Sequence, residues 1–203
     1  MKTIAICIPS QGQWVDDFGM SLAAMCFTLP GLGVKIHLAK RSTSMLPEGR
    51  TSLVLNALEL EKQYGPVDYL LWFDCDMEFP QDTLARLMAH DKDVVGVIYP
   101  QRGPPGLLVG HPLEMNPVFP AHGLCEMKFV GFGIVLVKMK VIKEMPYAID
   151  DPYFQFTYNQ DGIISEDVGF CEKARAAGFR VWADVDLSRE VTHWGRQEFR
   201  AGI

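Results

Sequence analysis

Apolar and polar positions alternate along this chain with two periods, one typical of strands and one typical of helices. In the first half, apolar runs typical of buried strands are separated by stretches with apolar residues at helical spacing. Strands are predicted at 1–9, 34–39, 67–80 and 93–99, and helices at 13–29, 50–64 and 80–90. Pro30 and Gly31 are expected to end the first helix, and Pro80 to open the third. This order predicts an α/β fold with a mostly parallel central sheet and helices on both faces.

The second half of the chain resumes this alternation after an interruption. Residues 103–125 are rich in proline and glycine and have no period, so we expect a long loop or lid there. Strands are then predicted at 127–137, 179–185 and 190–195, and helices at 138–145 and 166–177. The segment 150–164 is aromatic and irregular, and its cluster from Tyr153 to Tyr158 is more typical of core packing than of a platform for stacking sugars.

Composition restricts the class of protein. The 203 residues are 48% hydrophobic and 22% charged, which is enough for one sizeable core, so we predict a single domain spanning 1–203. No apolar run approaches the roughly 20 residues that a membrane helix needs, so no integral membrane segment is expected. The net charge of −6, with no runs of basic residues, argues against a broad nucleic-acid interface. The five cysteines are scattered, which indicates reduced thiols and a cytoplasmic protein.

The strongest chemical signal is a pair of carboxylates at the end of an apolar run. In extended backbone, residues i and i+2 point to the same face, so Asp74 and Asp76 are expected to lie side by side. Two anions repel each other unless a cation lies between them, and oxygen ligands favour a divalent metal ion. The alternative is a simple turn, since aspartates are common where a strand ends. Pro9–Ser10 and Pro100–Arg102 also follow predicted strands, and parallel strands place such ends at one ligand-binding edge.

Four short motifs occur in order along the chain, at residues 70–76 (LLWFDCD), 130–133 (VGFG), 165–171 (SEDVGFC) and 192–195 (THWG). Together they resemble the motifs of nucleotide-sugar glycosyltransferases with the GT-A (Rossmann-like) fold, in the style of compact family-2-like bacterial and phage members. The first resembles the strand and Asp-x-Asp motif of that family, the second its glycine-bearing strand, the third its acidic motif at a helix start, and the fourth its late histidine. The resemblance covers most of the chain and implies a nucleotide-binding half at about 1–100 and an acceptor-binding, catalytic half at about 101–203.

The resemblance implies a site for Mn²⁺ or Mg²⁺. Asp76 would bind the metal directly, Asp74 would contact the ribose of the donor and also take part in the metal site, and His193 would be a further metal ligand. Such an ion stabilises the negative charge that develops on a departing nucleoside diphosphate. For His193 alone, the competing interpretation is a partly exposed histidine near the end of the fold.

The same resemblance assigns Asp167 as the general base for the acceptor hydroxyl, in an inverting reaction, and Glu166 as a contact for donor or acceptor. A structural interpretation competes with this assignment. Acidic residues in the first turn of a helix complement its dipole, and Ser165 is a suitable N-cap. A helix N-terminus also lowers the pKa of a carboxylate, which weakens it as a base.

Other predicted donor-binding positions rest on single residues, and for Arg50 and Asn56 a solvated helix start is the alternative interpretation. Gly131 and Gly133 are expected to let a sugar approach the backbone. The remaining predicted donor contacts are Pro9, Ser10, Arg50, Asn56, Cys75 and Arg102.

The function predicted from the sequence is a metal-dependent transfer of sugar from a nucleotide-sugar donor, with UDP-sugar as the expected donor, to a hydroxyl acceptor. A saccharide, a lipid-linked sugar, a protein side chain and a modified nucleobase all remain open as acceptors. The first alternative is a sugar-nucleotide nucleotidyltransferase, although residues 9–14 (PSQGQW) lack the glycine-rich, arginine-containing loop of that class. The second alternative is a binding module that holds a nucleotide sugar without turning it over.

Overall fold

The computed structural model describes residues 1–102, 106–114, 119–160 and 162–195, together with the backbone of 198–199. The helices are α1 (Asp16–Leu32), α2 (Leu46–Tyr64), α3 (Thr83–Ala89), α4 (Met139–Glu144), α5 (Glu166–Ala176) and α6 (Val185–Ser188). The strands of the first half are β1 (Lys2–Ser10), β2 (Val34–Ser42), β3 (Tyr69–Phe73), β4 (Met77–Glu78), β5 (Val94–Gly96) and β6 (Tyr99–Pro100). Those of the second half are β7 (Leu108–Pro112), β8 (Leu124–Val130), β9 (Ile134–Lys138), β10 (Thr157–Asn159), β11 (Gly162–Ile164), β12 (Val181–Asp184), β13 (Thr192–Trp194) and β14 (Glu198–Phe199).

The predicted α/β class and the mostly parallel central sheet between helices are confirmed. The main sheet has the order β2-β1-β3-β9-β5-β12-β8-β7-β6. Strands β1, β2 and β3 are parallel neighbours, as are β5 and β12. Strand β9 runs antiparallel between β3 and β5, and β8 runs antiparallel to β12. The carboxyl ends of β1, β2 and β3 therefore lie at one edge of the sheet, where β9 begins.

Each central strand buries both of its faces, which explains the continuous apolar runs in the sequence. Ile4, Ile6 and Ile8 of β1 face α1 and α3, together with Leu71 and Phe73 of β3. The alternate residues of the same strands, which are Ala5, Cys7, Leu70 and Trp72, face α2 and α5. Complete burial of each large apolar side chain stabilises the fold by about 1.5–3 kcal/mol.

Four local predictions are corrected by the structure. Helix α1 continues past Pro30 to Leu32, and Gly33 ends it in the left-handed conformation with φ 62°. Pro30 lacks the N–H that would form one helical hydrogen bond, but it lies in the last turn, and only two helical residues follow it. Pro80 precedes the third helix instead of opening it, since α3 begins at Thr83. The predicted loop 103–125 contains β7, and the predicted strand 127–137 is divided into β8 and β9.

A small second sheet supports the edge where the candidate residues lie. Its strands have the order β14-β13-β4, and His193 of β13 is paired with Met77 of β4. Because β4 directly follows the turn after β3, this pairing attaches the late part of the chain beside Asp76. The prediction of a strand within 190–195 is confirmed.

Candidate active site

Asp74 and Asp76 lie in the turn that joins β3 to β4. The backbone N–H of Asp74 donates to the carbonyl of Gly133 at 2.9 Å, and the carbonyl of Asp76 accepts from the N–H of Trp194 at 2.8 Å. The N–H of Met77 donates back to the carbonyl of Asp74 at 3.3 Å. The two aspartates therefore lie in a turn after the end of β3, and the expectation that they belong to an extended strand is wrong. Each is instead fixed by a different neighbouring segment.

Asp76 and His193 form the first pair of polar groups in the site. Nε2 of His193 lies 3.7 Å from Oδ2 of Asp76. Nδ1 of His193 lies 2.8 Å from the carbonyl oxygen of Pro100 and is assigned as the N–H donor to it. That tautomer leaves a lone pair on Nε2 directed to the Asp76 side. Arg102 reaches the same carboxylate, with its Nη2 atom 2.7 Å from Oδ2.

These groups suit two positions in the coordination shell of a divalent cation. Carboxylate oxygen and imidazole nitrogen are both accepted by Mn²⁺, and a carbonyl bound to the second ring nitrogen is the usual support for a ligating histidine. Asp74 does not join them, since the described residues contain no group of three or more His, Cys, Asp or Glu side chains arranged around one point. The residues therefore fit an ion held by Asp76 and His193, with other positions open to donor oxygens.

Asp74 is bound by a buried arginine instead. Nη2 of Arg50 donates to both carboxylate oxygens of Asp74, at 2.8 and 3.2 Å. Nε of Arg50 lies 3.7 Å from Oε1 of Glu166, an ion-pair distance that is too long for a hydrogen bond. The Arg50 side chain is only 2% exposed, and its guanidinium group lies 5.3 Å from the ring centre of Phe132 and 5.9 Å from that of Phe154. Arg50 is therefore a counter-ion beneath the site, joining the turn after β3 to the start of α5.

Two of the nitrogens of Arg50 complete no hydrogen bond in the described structure. These are Nε and Nη1. The indole Nε1 of Trp72, in the same aromatic cluster, is also buried without a hydrogen-bond partner among the described residues. Buried donors usually have partners, so this cluster is an exception within the fold. Carboxylates raise the pKa of the Arg50 guanidinium against the opposing effect of burial, with Asp74 first and then Glu166.

The carboxylates of the site have altered proton affinities. Burial raises the pKa of Asp74 to about 6, with further increases from the charges of Asp76 and Glu166 and an opposing effect from Arg50. Burial also raises the pKa of Glu166, again against the effect of Arg50. Crowding of negative charge in a poorly solvated place is a frequent property of functional sites, and it favours proton or cation binding there.

Glu166 and Asp167 occupy the first turn of α5, as predicted. Glu166 is 5% exposed and faces Arg50, whereas Asp167 is partly exposed. Ser165 is the N-cap residue, but its hydroxyl donates to Oδ1 of Asp167 and caps no backbone N–H. The N–H of Val168 donates to the same oxygen at 2.8 Å. Both contacts fall on Oδ1, so Oδ2 is the oxygen of Asp167 that these bonds leave available.

Tyr99 is a site residue that the sequence analysis missed, because it was counted as the last apolar position of a strand. Its hydroxyl accepts from the N–H of Gly133 at 3.0 Å, and its ring lies edge-on to His193 at 5.1 Å between ring centres. A Cβ atom at Gly133 would lie 2.7 Å from the Tyr99 ring, and one at Gly131 would lie 2.5 Å from the Tyr99 hydroxyl oxygen. The two glycines thus make room for Tyr99, so the prediction that a sugar enters beside them is not supported on that side.

The remaining predicted donor contacts divide between the site edge and the surface. Ser10 is buried at the end of β1, and its hydroxyl accepts from the N–H of Gly12 at 3.0 Å. Pro9 is buried beside it, and Cys75 is half-buried in the turn between the two aspartates, where its carbonyl accepts from the N–H of Val15 at 3.0 Å.

Asn56 is not brought to the site. It is exposed on α2, six residues beyond Arg50. Six residues rotate a helix by about 240° from the starting face, which directs the two side chains to different sides. The structure thus gathers Arg50 and leaves Asn56 on the surface.

Comparison with known proteins gives the fold. No family model matches the sequence, and no curated protein matches it. Among solved structures, A197 from STIV is 17% identical with a TM-score of 0.59, over 100% of this chain and 95% of that chain. A Drosophila beta-1,4-galactosyltransferase 7 mutant in complex with manganese, UDP-Gal and xylobiose is also 17% identical, with a TM-score of 0.50, over 91% of this chain and 65% of that chain. The chain therefore has a glycosyltransferase-like α/β fold.

Two further findings concern membrane-spanning helices and disulfide bonds. No helix in the described part of the chain is long and apolar enough to cross a membrane. All five cysteines are free thiols, and Cys7 and Cys171 are buried.

Proposed function

We propose that this protein is a metal-dependent glycosyltransferase that moves a sugar from a nucleotide-sugar donor, expected to be a UDP-sugar, to a hydroxyl acceptor. One observation carries the proposal. Oδ2 of Asp76 and Nε2 of His193 lie 3.7 Å apart at the carboxyl edge of the sheet, although 117 positions separate them in the chain. Glu166 at the start of α5 is joined to the same edge through Arg50, which also binds Asp74. Ligand binding beyond the carboxyl ends of strands is the usual arrangement in such sheets.

Asp76 and His193 are the residues that we assign to hold Mn²⁺ or Mg²⁺. When bound, the ion stabilises the negative charge that develops on the diphosphate leaving group. Arg102 is 57% exposed on its side chain and already contacts Asp76, so its guanidinium is placed to bind a phosphate oxygen at the same point.

Asp74 orients the donor in this proposal. Both of its oxygens accept from Nη2 of Arg50, but the side chain is 26% exposed, so a remaining lone pair can accept from a ribose hydroxyl. Ser10 and Pro9 at the end of β1, with Cys75 in the turn, form the adjoining wall. A cytoplasmic location belongs to the same proposal, since it agrees with the free thiols.

Asp167 accepts the proton of the acceptor hydroxyl. Oδ1 is held by Ser165 and by the N–H of Val168, so the side chain is oriented and Oδ2 is the atom that we assign as base. Attack on the face of the sugar opposite the leaving diphosphate gives inversion. Glu166 is too buried to act on the acceptor directly, and its contact with Arg50 makes it a positioning residue.

The test is metal-dependent release of nucleoside diphosphate from a panel of nucleotide sugars, measured with Mn²⁺, Mg²⁺ and chelator. We expect turnover with a metal ion and loss of it in chelator. Asp76→Asn and His193→Gln should each raise the Mn²⁺ concentration for half-maximal activity by about 10–100-fold. Asp93→Asn is the matched control for Asp76→Asn, because Asp93 is similarly accessible but pairs with Lys140. His122→Gln, at an exposed histidine, is the control for His193→Gln.

Two results would overturn the proposal. Full turnover in chelator, or in Asp76→Asn at low Mn²⁺, would remove the assigned metal role. Formation of a nucleotide sugar from a sugar phosphate and a nucleoside triphosphate, with no transfer to hydroxyl acceptors, would identify a nucleotidyltransferase instead.

A further inference from the structure

The short antiparallel ribbon formed by β10 and β11 has one exposed apolar face. Tyr158 is directly paired with Ile163, and Phe156 immediately precedes β10, two positions before Tyr158. Their exposed fractions are 51% for Phe156, 77% for Tyr158 and 67% for Ile163. The opposite face carries the pair Thr157 and Ile164, both of which are half-buried. The ribbon thus packs with one face and presents the other to solvent.

The aromatic residues between 153 and 158 fall into a buried pair and an exposed pair. Tyr153 and Phe154 are buried at 5% and 1%, as predicted for core packing, and Phe154 stacks on Phe170 at 4.7 Å between ring centres. Phe156 and Tyr158 differ from them, because they are 51% and 77% exposed. Contiguous exposed apolar groups on a folded surface are typical of binding sites.

The ribbon is continuous with the acidic motif. Strand β11 ends at Ile164, Ser165 is the N-cap of α5, and Asp167 lies in its first turn. The four-residue interval from Ile163 to Asp167 spans at most about 14 Å. The backbone of the proposed base therefore lies no more than about 14 Å from Ile163, a separation that an oligosaccharide can span.

The chemistry of this face favours a neutral ligand with both apolar and hydroxyl surfaces. Strands β10 and β11 contain no charged residue. An anionic lipid surface would select lysine or arginine here, and the chain as a whole carries a net charge of −6. The faces of sugar rings present C–H groups that pack on the electron-rich faces of aromatic rings.

We propose that Phe156, Tyr158 and Ile163 form the acceptor platform and that the acceptor is a neutral saccharide of two or more rings, stacked on Tyr158 and Phe156 with a hydroxyl directed to Asp167. This inference rests on the proposed function for the identity of the reaction. It narrows the acceptor from four classes to one. It assigns the stacking role to the two exposed rings and leaves Tyr153 and Phe154 in the core.

The experiment measures binding and turnover separately on the intact protein. Binding to an array of neutral oligosaccharides is measured first, and the best glycan is then used to stimulate diphosphate release. Tyr158→Ala and Phe156→Ala should each weaken glycan binding, and raise the acceptor KM, by about tenfold. Tyr158→Trp should retain binding, because it keeps a ring face. Donor hydrolysis without acceptor is measured in the same variants, so that a loss of acceptor binding is distinguished from a loss of donor turnover.

Matched controls come from exposed rings elsewhere on the surface. Tyr64→Ala is the control for Tyr158→Ala, and Phe27→Ala is the control for Phe156→Ala, since these rings are 61% and 87% exposed. Loss of glycan binding that is equal in controls and ribbon variants would overturn the inference. So would donor hydrolysis that no neutral glycan stimulates, or binding confined to phosphatidylglycerol vesicles. Ribbon-dependent glycan binding without any donor turnover would overturn the proposed function while supporting the platform.

Discussion

The guanidinium of Arg50 donates through Nη2 to both carboxylate oxygens of Asp74, at 2.8 and 3.2 Å, from a side chain that is 2% exposed. The same guanidinium lies 3.7 Å from Glu166 at the start of α5. One buried cation is therefore shared by two carboxylates that belong to distant parts of the sequence. Without it, both would stand uncompensated in a poorly solvated place.

Replacement of Arg50 by methionine is expected to destabilise the protein strongly. The apolar side chain keeps most of the volume but leaves Asp74 and Glu166 without their counter-ion, and breaking a buried pair from one side costs about 3–5 kcal/mol. The free energy of unfolding from urea titration measures this loss. Arg41→Met, which breaks the exposed pair with Glu48, is the control and should cost no more than about 1 kcal/mol. Equal losses in the two variants would show that Arg50 has no special role.

Gly133→Ala is expected to disturb the site through Tyr99. The new Cβ atom would lie 2.7 Å from the Tyr99 ring, so the ring must move away from its contact with His193. Overpacking of this kind costs about 1–3 kcal/mol, and we also expect weaker activation by Mn²⁺. Thermal unfolding and a Mn²⁺ titration measure the two effects.

The control for that substitution is Gly19→Ala in α1. A Cβ atom there meets nothing within 4 Å, and alanine is the better helix former, so stability should rise by about 0.5–1 kcal/mol. A Gly133→Ala protein that is as stable as wild type and has normal Mn²⁺ activation would contradict the assigned contact.

The stability of the protein should carry a pH-dependent contribution from Glu166. Burial raises the pKa of this carboxyl in the folded state above the unfolded value of about 4.3, so the folded state binds the proton more tightly. The contribution is therefore complete below the unfolded pKa and is lost as the pH rises through the folded pKa. The free energy of unfolding is measured by urea titration for wild type and for Glu166→Gln across this range. The value for wild type minus the value for Glu166→Gln should fall as the pH rises.

Glu126→Gln gives a control of opposite sign. The hydrogen bond from Arg180 lowers the pKa of Glu126, so its contribution is present above the unfolded value and is lost as the pH falls. If the Glu166→Gln difference also grew with rising pH, the assigned effect of burial on Glu166 would be wrong.

The spacing of apolar residues was sufficient to predict the strands and helices in which buried positions recur at a regular interval. The apolar runs of β1 and β3 and the helical spacing of α2 predicted their structures, because both faces of a central strand and one face of a helix must leave water. The segment containing β7 was missed, since prolines and glycines interrupt any pattern there and pairing with β8 defines the strand. The antiparallel insertion of β9 between β3 and β5 was equally invisible, because strand order leaves no mark on local periodicity.

For the site, the resemblance of four short motifs to those of a glycosyltransferase family singled out Asp76, Asp167 and His193. Their grouping was beyond the sequence. Only the tertiary structure decided that Asp74 faces Arg50, that Tyr99 fills the space beside Gly133, and that Phe156 and Tyr158 lie on the surface while Phe154 is buried. The physical reason is that local patterns record the burial of each residue's own element, whereas these relations depend on contacts between segments up to about a hundred residues apart.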